Sequence, residues 1–460
     1  MKVIAAPENR VAKCVRSLVV LGTAAVVMSA HAQSDTAGLE LRGTQRTRYE
    51  TLDPQYRAGF SNSDQALALQ TTLAVDWRRG SFEAFGEIMD SRMLGNDSGS
   101  FANGTTTNAL EPIQAYVAWH RGESTLRVGR VTQDLGKRRV VARNRYRNTV
   151  GSFTGIDWSW RGENGRTARA FYWVPMRFLP TDFDAVLDND QELDRGTRDS
   201  SLAGLFYEFA PLAGNHRLEA YALDYELTSA SDPALAADHW SLGARAYRAP
   251  RPGEWNYEIE GVLQRGEAGG VVGGVARPDL DHSAEFLHAE LGYAFDRPWS
   301  PNLMLQYDRA TGDHDPGDLR SERFNTLFGA RRFDFGPTGI YGIVARSNIE
   351  SLGVRLTFRA ASRWQGMLSY RSLRLAAARD AWVGSGWRDS SGAAGKDIGH
   401  HLEGSFTWAA IPDRLALETG FARLAAGDFP ERVAGASWRG DARYYYVALI
   451  TTFEAGGSAP

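Results

Sequence analysis

Between Gln65 and Arg78 the chain alternates two chemistries with a period of two. Leu67, Leu69, Thr71, Leu73, Val75 and Trp77 fall on one side of an extended segment; Ala68, Gln70, Thr72, Ala74 and Asp76 fall on the other. Successive strand side chains point to opposite faces, so the segment has one greasy and one hydrated surface, which a helical period would scatter. The rhythm returns in Trp255, Tyr257, Ile259, Gly261 and Leu263 against Asn256, Glu258, Glu260, Val262 and Gln264. It recurs around Leu287–Phe295, Val354–Arg359 and His401–Trp408, while His216 to Leu227 is less regular, its apolar face switching midway. No stretch past residue 32 reaches the roughly eighteen uninterrupted apolar residues of a spanning helix. In lipid, strands satisfy every backbone donor and acceptor only when the sheet closes on itself. The pattern predicts an all-β chain, a single transmembrane antiparallel β-barrel of about eighteen strands with long extracellular loops and short periplasmic turns.

Polar stretches rich in Gly, Asn, Asp and Ser mark the expected long loops: Gly95 to Thr107, Asp182 to Ser201, Gly266 to His282, Thr311 to Arg323 and Asp380 to Gly399. Phe, Trp and Tyr make up 11% of the chain, and several, such as Trp77, Trp119, Trp158, Trp160, Trp255 and Trp408, fall near strand ends. Amphipathic rings favour a membrane interface there.

The first residues carry the three zones of a secretory signal. Lys2, Arg10, Lys13 and Arg16 are basic, Leu18 to Met28 is apolar but too short to span, and Ala30-His31-Ala32 offers a cleavage site before Gln33. Residues 1–32 are therefore expected to be a signal peptide and 33–460 the barrel; a single anchoring helix would need a longer apolar run. The one cysteine, Cys14, precedes the apolar zone, so the mature chain has no thiol for a disulfide, a metal or a nucleophile. Removing Lys2, Arg10, Lys13, Arg16 and Glu8 moves the formal charge from −3 to −6, and neither value suggests a nucleic-acid partner.

The mature chain has only two lysines, Lys137 and Lys396, and takes its positive charge from arginine, whose planar fork suits carboxylates. A genome favouring arginine codons would give the same bias. From Arg127 to Arg147 eight basic residues stand against one acid, Asp134. Such density cannot face hydrocarbon, where a midplane arginine costs about 2 to 4 kcal/mol in a barrel. It lines the lumen, sits at the rim or lies in a solvated loop; in the lumen it lowers the barrier for anions. Arg42, Arg46 and Arg48 share one strand face, opposite Leu41 and Tyr49, and are better placed for the lumen. Asp76, Glu83, Glu87, Glu258, Glu260, Glu290, Asp308, Glu403 and Glu418 fall on the hydrated faces too, so mixed charge ladders are expected.

Catalytic signals are weak. HExxH, GxSxG and P-loop spacings do not occur. His400 and His401 are adjacent on a strand, so they point to opposite faces. Asp313, Asp315 and Asp318 lack the closing Glu of an EF-hand and read as a solvated acidic loop. Neither a metal nor a cofactor is expected.

Two further stretches carry a family likeness. One runs Leu126-Arg127-Val128-Gly129-Arg130-Val131-Thr132-Gln133-Asp134-Leu135-Gly136 and on through Lys137 to Asn148, then Phe153-Thr154-Gly155-Ile156-Asp157. The other runs from Leu327 through Phe333-Asp334-Phe335-Gly336-Pro337 to Gly342, followed by Arg346-Ser347-Asn348-Ile349. Both resemble the alginate-export family of outer-membrane barrels, and Leu41 to Glu50 is similar to that family's first strand. The resemblance implies a monomeric, eighteen-stranded barrel in the Gram-negative outer membrane, passing anionic solutes through an arginine-rich constriction; the namesake's solute is the polyuronate alginate. The residues expected to line it are Arg42, Arg46, Arg48, Arg127, Arg130, Arg138, Arg139, Arg143, Arg145, Arg331, Arg332, Arg346, Arg355 and Arg359.

The expected partners are an anionic small molecule or polysaccharide, outer-membrane lipid and lipopolysaccharide, and the barrel-assembly machinery. The last strand, Arg443 to Phe453, resembles the signal that machinery reads, with Glu454 to Pro460 following its aromatic residue. Two other functions compete with the pore: a barrel hydrolase using His401 and Asp315 at the rim, and a plugged structural barrel.

Overall fold

The computed structural model describes residues 38–60, 63–97, 99–360, 363–436, 438 and 440–456. The expected signal peptide and Cys14 lie outside the described residues. Seven strands lead the chain: β1 (Gly38–Asp53), β2 (Asp64–Arg79), β3 (Phe82–Leu94), β4 (Asn108–Arg121), β5 (Ser124–Val131), β6 (Phe153–Arg161) and β7 (Thr167–Arg177). Then come the short β8 (Arg195–Gly196), β9 (Ser200–Glu208), β10 (His216–Leu227), β11 (Ala237–Arg248), β12 (Glu254–Val272), β13 (Val275–Ala294) and β14 (Asn302–Ala310). The short β15 (Arg320–Ser321) precedes β16 (Ile349–Ala360), β17 (Trp364–Arg374), β18 (Asp397–Ile411), β19 (Leu415–Ala426) and β20 (Asp441–Gly456).

Eighteen of these strands form the wall, each antiparallel to the next. β1 pairs with β2 on one side and with β20 on the other, which leaves no free edge. β7 pairs directly with β9, and β14 with β16; β8 and β15 are appendages of β7 and β13. The alternation sets the faces. Val75, Trp77, Ile259, Leu263, Leu291 and Val354 point outward and are exposed, while Gln70, Asp76, Glu258, Glu260 and Glu403 point inward and are buried.

Connections on one side are tight, including 80–81, 122–123 and 412–414, and both described chain ends lie there. The other side carries the long ones, among them 95–107, 132–152, 178–199, 311–348 and 375–396. Short turns belong to the periplasm and long loops to the exterior. Gly266 to His282, expected as a loop, is instead strand: β12 and β13 stay paired out to Val272 and Val275, and Gly273 and Gly274, at φ 59° and 80°, make a two-residue turn. Paired extended backbone can continue past the membrane wherever its two strands satisfy each other. The stretch Thr311 to Arg323 is only the start of a longer inward-folding segment, 311–348.

The lumen is filled on its extracellular side. Inward-facing Phe171, Trp173, Tyr221, Leu223 and Phe286 of the wall pack with Phe324, Ile340, Tyr341 and Ile343 of segment 311–348 and with Val140 and Val141 of loop 132–152. This apolar core explains the irregular β10: Tyr221 and Leu223 face inward because loops, not water, meet them.

Candidate conduit and its basic vestibule

The two stretches that carry the family likeness meet inside the barrel. Loop 132–152 and segment 311–348 form a parallel bridge at Val141 and Phe328. The amide of Phe328 donates to the carbonyl of Val140 at 2.9 Å, and the amide of Ala330 to that of Arg138 at 2.8 Å. The approach is so close that a Cβ on Gly329 would lie 1.8 Å from the carbonyl oxygen of Arg139.

Buried ion pairs fasten this plug to the wall. Arg139 Nε donates to Asp334 Oδ2 at 2.9 Å, and its Nη1 reaches Glu258 and Glu260 of β12, each at 2.5 Å. Arg346 Nη2 donates to the same Asp334 carboxylate at 2.6 Å and its Nη1 to the carbonyl of Arg139 at 3.0 Å. On the wall itself, Arg245 bridges Glu219 and Glu258 at 2.8 and 3.0 Å, and Arg371 donates to Asp308 at 2.8 Å, with His288 on that carboxylate at 2.7 Å. Charges this deep must be paired, because an unpaired one keeps its full desolvation cost.

Beneath the plug, on the turn side, lies a cavity of about 1340 Å³. Arg42, Arg46, Arg48, Arg143, Arg145, Arg332, Arg355 and Arg359 line it, with Lys137, against Glu87, Glu418 and Glu454. Most of these cations are committed to partners. Arg143 grips Glu87 through both nitrogens at 2.8 and 2.6 Å, Arg332 holds Glu403 at 2.5 Å, Arg48 Nε holds Glu50 at 2.9 Å, and Arg145 pairs with Asp134. Lys137 stands 3.6 Å from Glu258, Arg42 3.7 Å from Asp76, and Arg355 Nη2 donates to the Asp334 carbonyl at 3.0 Å. Arg46 differs: its two terminal nitrogens donate to the carbonyl oxygens of Arg145 at 2.7 Å and Arg147 at 2.6 Å. Those bonds fix the guanidinium without cancelling its charge. Arg359 likewise has no carboxylate at ion-pair distance among the described residues. The ring of Tyr146, at the loop tip, sits between the guanidinium carbons of Arg48 at 4.5 Å and Arg332 at 4.8 Å.

The remaining expected residues lie elsewhere. Arg139 and Arg346 are buried in the plug. Arg127 donates to Asp157 and Ser159 at 3.1 Å and lines a side cavity of about 610 Å³. Arg130 pairs with Glu111 and donates to the Pro112 and Asp194 carbonyls at 2.7 and 3.2 Å, tying loop 178–199 to β4. Arg138 borders a small recess beside Asp134 and Arg332. Arg331 opens the short helix α1 (Arg332–Phe335), where burial and then the charge of Arg147 both disfavour its cationic form. Arg245, Arg371, Asp334 and Tyr146 escaped sequence reasoning. The two arginines stand at inward register positions, so alternation could have placed them in the lumen; Asp334, in the short helix, and Tyr146, in loop 132–152, lie off the wall strands, and only the family likeness of their stretches pointed to them.

Residues 37–439 match the sequence profile of the alginate export family. The chain belongs to that family. Its barrel is thus an outer-membrane transport barrel of the alginate export type. Solved structures show the same fold at low identity. The Pseudomonas aeruginosa channel OpdK, crystallised with vanillate, is 13% identical, with a TM-score of 0.58 over 91% of this chain and 99% of its own. OccAB1 of Acinetobacter baumannii is 13% identical, with a TM-score of 0.60 over 92% and 100%. OccK8 (OprE) of Pseudomonas aeruginosa is 11% identical, with a TM-score of 0.59 over 91% and 98%. No curated protein sequence matches the chain.

Proposed function

We propose that this member of the alginate export family is a passive pore for carboxylated solutes, either polyuronates such as alginate or smaller sugar and organic acids. The supporting observation is the vestibule, where most of the nine basic side chains are paired but Arg46 and Arg359 have no carboxylate at ion-pair distance among the described residues, Arg46 being held on rigid backbone contacts. Fixed cations in a low-dielectric wall lower the entry barrier for anions and raise it for cations. The vanillate bound to OpdK, a carboxylate in a barrel of the same fold, is in keeping with that chemistry. A passive pore follows the solute gradient, so direction is set by the cell rather than by the barrel.

In proteoliposomes, galacturonate should enter faster than galactose, which differs mainly by lacking the carboxylate. Equal rates, or faster entry of the neutral sugar, would overturn the charge argument.

A second reading, a sealed structural barrel, draws on the apolar core between plug and wall; it requires that neither sugar enter. The hydrolase alternative finds less support. His401 is buried against the Tyr341 ring at 5.8 Å, whereas Asp315 is in segment 311–348, paired with Arg379 of loop 375–396 at 3.3 Å.

A further inference from the structure

We propose that the lipid-facing wall of β17–β20 carries a docking site for a phosphorylated glycolipid of the outer leaflet. The inference concerns the outside of the barrel and stands apart from the solute. At the loop-side ends of these strands the outward positions are Arg374, His400, Arg423 and Arg443, all exposed. Arg423 and Arg443 stand directly opposite each other in the β19–β20 register. Like charges so placed repel across a separation of about 5 Å. Asp441 compensates one of them, accepting from Arg423 Nε at 2.8 Å. Asp53 faces Arg443 in the β1–β20 register, yet no ion pair joins them among the described residues. On β18, His400 stacks on Tyr370 with centroids 5.7 Å apart and its Nδ1 3.0 Å from the Tyr370 hydroxyl.

The chemistry changes further down these strands. On β20 the outward positions after Arg443 are Tyr445, Val447 and Leu449, and on β17 those after Arg374 are Ser372, Tyr370 and Leu368; both rings and all three aliphatic side chains are exposed. Basic residues over an aromatic step over an aliphatic band is the order of groups in a phosphorylated glycolipid: phosphate, sugar, acyl chains. Aromatic rings mark the interface, and an arginine is nearly cost-free only there. On β10–β13 the corresponding outward row holds Glu226, Asp238, Glu267 and Asp281, each directly opposite the next, and would repel phosphate.

The test uses full-length folded protein in detergent and bisphosphorylated lipid A, its dephosphorylated form and inorganic phosphate as probes, with binding read by native mass spectrometry. The wild type should hold the bisphosphorylated lipid. The R423Q/R443Q variant should bind it about tenfold or more weakly, the scale of losing a charge-assisted contact. The dephosphorylated lipid should bind weakly to both, and inorganic phosphate should not compete at equal concentration. Equal affinity of variant and wild type, equal affinity for the two lipids, or full competition by inorganic phosphate would each overturn the proposal. Should the variant not fold, photoactivatable lipid A on the wild type gives the answer: labelling concentrated on β17–β20 supports the site, and even labelling or labelling of β10–β13 refutes it.

Discussion

Arg139 and Asp334 stand 195 positions apart in the chain, yet the guanidinium of one donates to the carboxylate of the other at 2.9 Å in the interior of the barrel. The contact joins the two inward-folded segments, and both partners are also tied to the wall or to Arg346. Replacing Arg139 with Ala would leave Glu258, Glu260 and Asp334 buried without that cation. Breaking such a pair costs about 3 to 5 kcal/mol. Hydrogen exchange in 132–152 and 311–348 should accelerate sharply while the wall strands keep their protection. Unchanged exchange in both loops would show that the apolar core alone holds the plug.

Gly329 tests the same docking sterically. A Cβ there would meet the Arg139 carbonyl at 1.8 Å, whereas one on the outward-facing Gly261 meets nothing within 4 Å. Overpacking costs about 1 to 3 kcal/mol. Gly329→Ala should loosen the plug, read as greater open-channel noise, and Gly261→Ala should leave the recordings unchanged.

Alternation made the wall legible because lipid and lumen impose opposite demands on successive residues, as Leu73 and Ala74 or Ile259 and Glu260 show. It faltered where the environment inside was not water. Tyr221 and Leu223 face apolar loops, and the glycines of Gly269 to Gly274 looked like a loop although the strands around them stay paired. The arginine density between 127 and 147 was visible, but its division of labour was not. Whether Arg139 meets a solute or a carboxylate depends on where Asp334 docks, which no local pattern encodes.

Charge at the vestibule should separate from charge in the plug. Arg46→Gln and Arg359→Gln remove cations that face the cavity without a carboxylate partner, and should lower the anion-to-cation permeability ratio. The effect should be larger at 0.1 M than at 1 M salt, because the screening length shrinks from about 10 Å to about 3 Å. Arg127→Gln, in the side cavity, should change the ratio less. Equal effects from all three would place selectivity elsewhere.

Loop 178–199 should respond to pH. Burial, then the neighbouring charge of Glu111, pushes the Asp194 carboxyl up to about 7 from an ordinary value of 3.8, against donation from the Leu179 amide at 2.9 Å. A raised carboxyl pKa means the docked loop binds more protons than the undocked one between about 4 and 7, so docking is strongest in acid and weakens as pH rises through that window. Once the intrinsic pH dependence of amide exchange is divided out, the protection of this loop should be higher at pH 5 than at pH 8. Asp194→Asn should flatten the difference; a loop that loosens in acid would reverse the sign of the account.

The central claim is that the barrel encloses a water path whose fixed charge is basic. The reversal potential of single channels in a planar bilayer, under a potassium chloride gradient, reads that charge directly. The account predicts discrete conductance steps with a reversal potential displaced toward that of chloride. Silence, or displacement toward that of potassium, would contradict it.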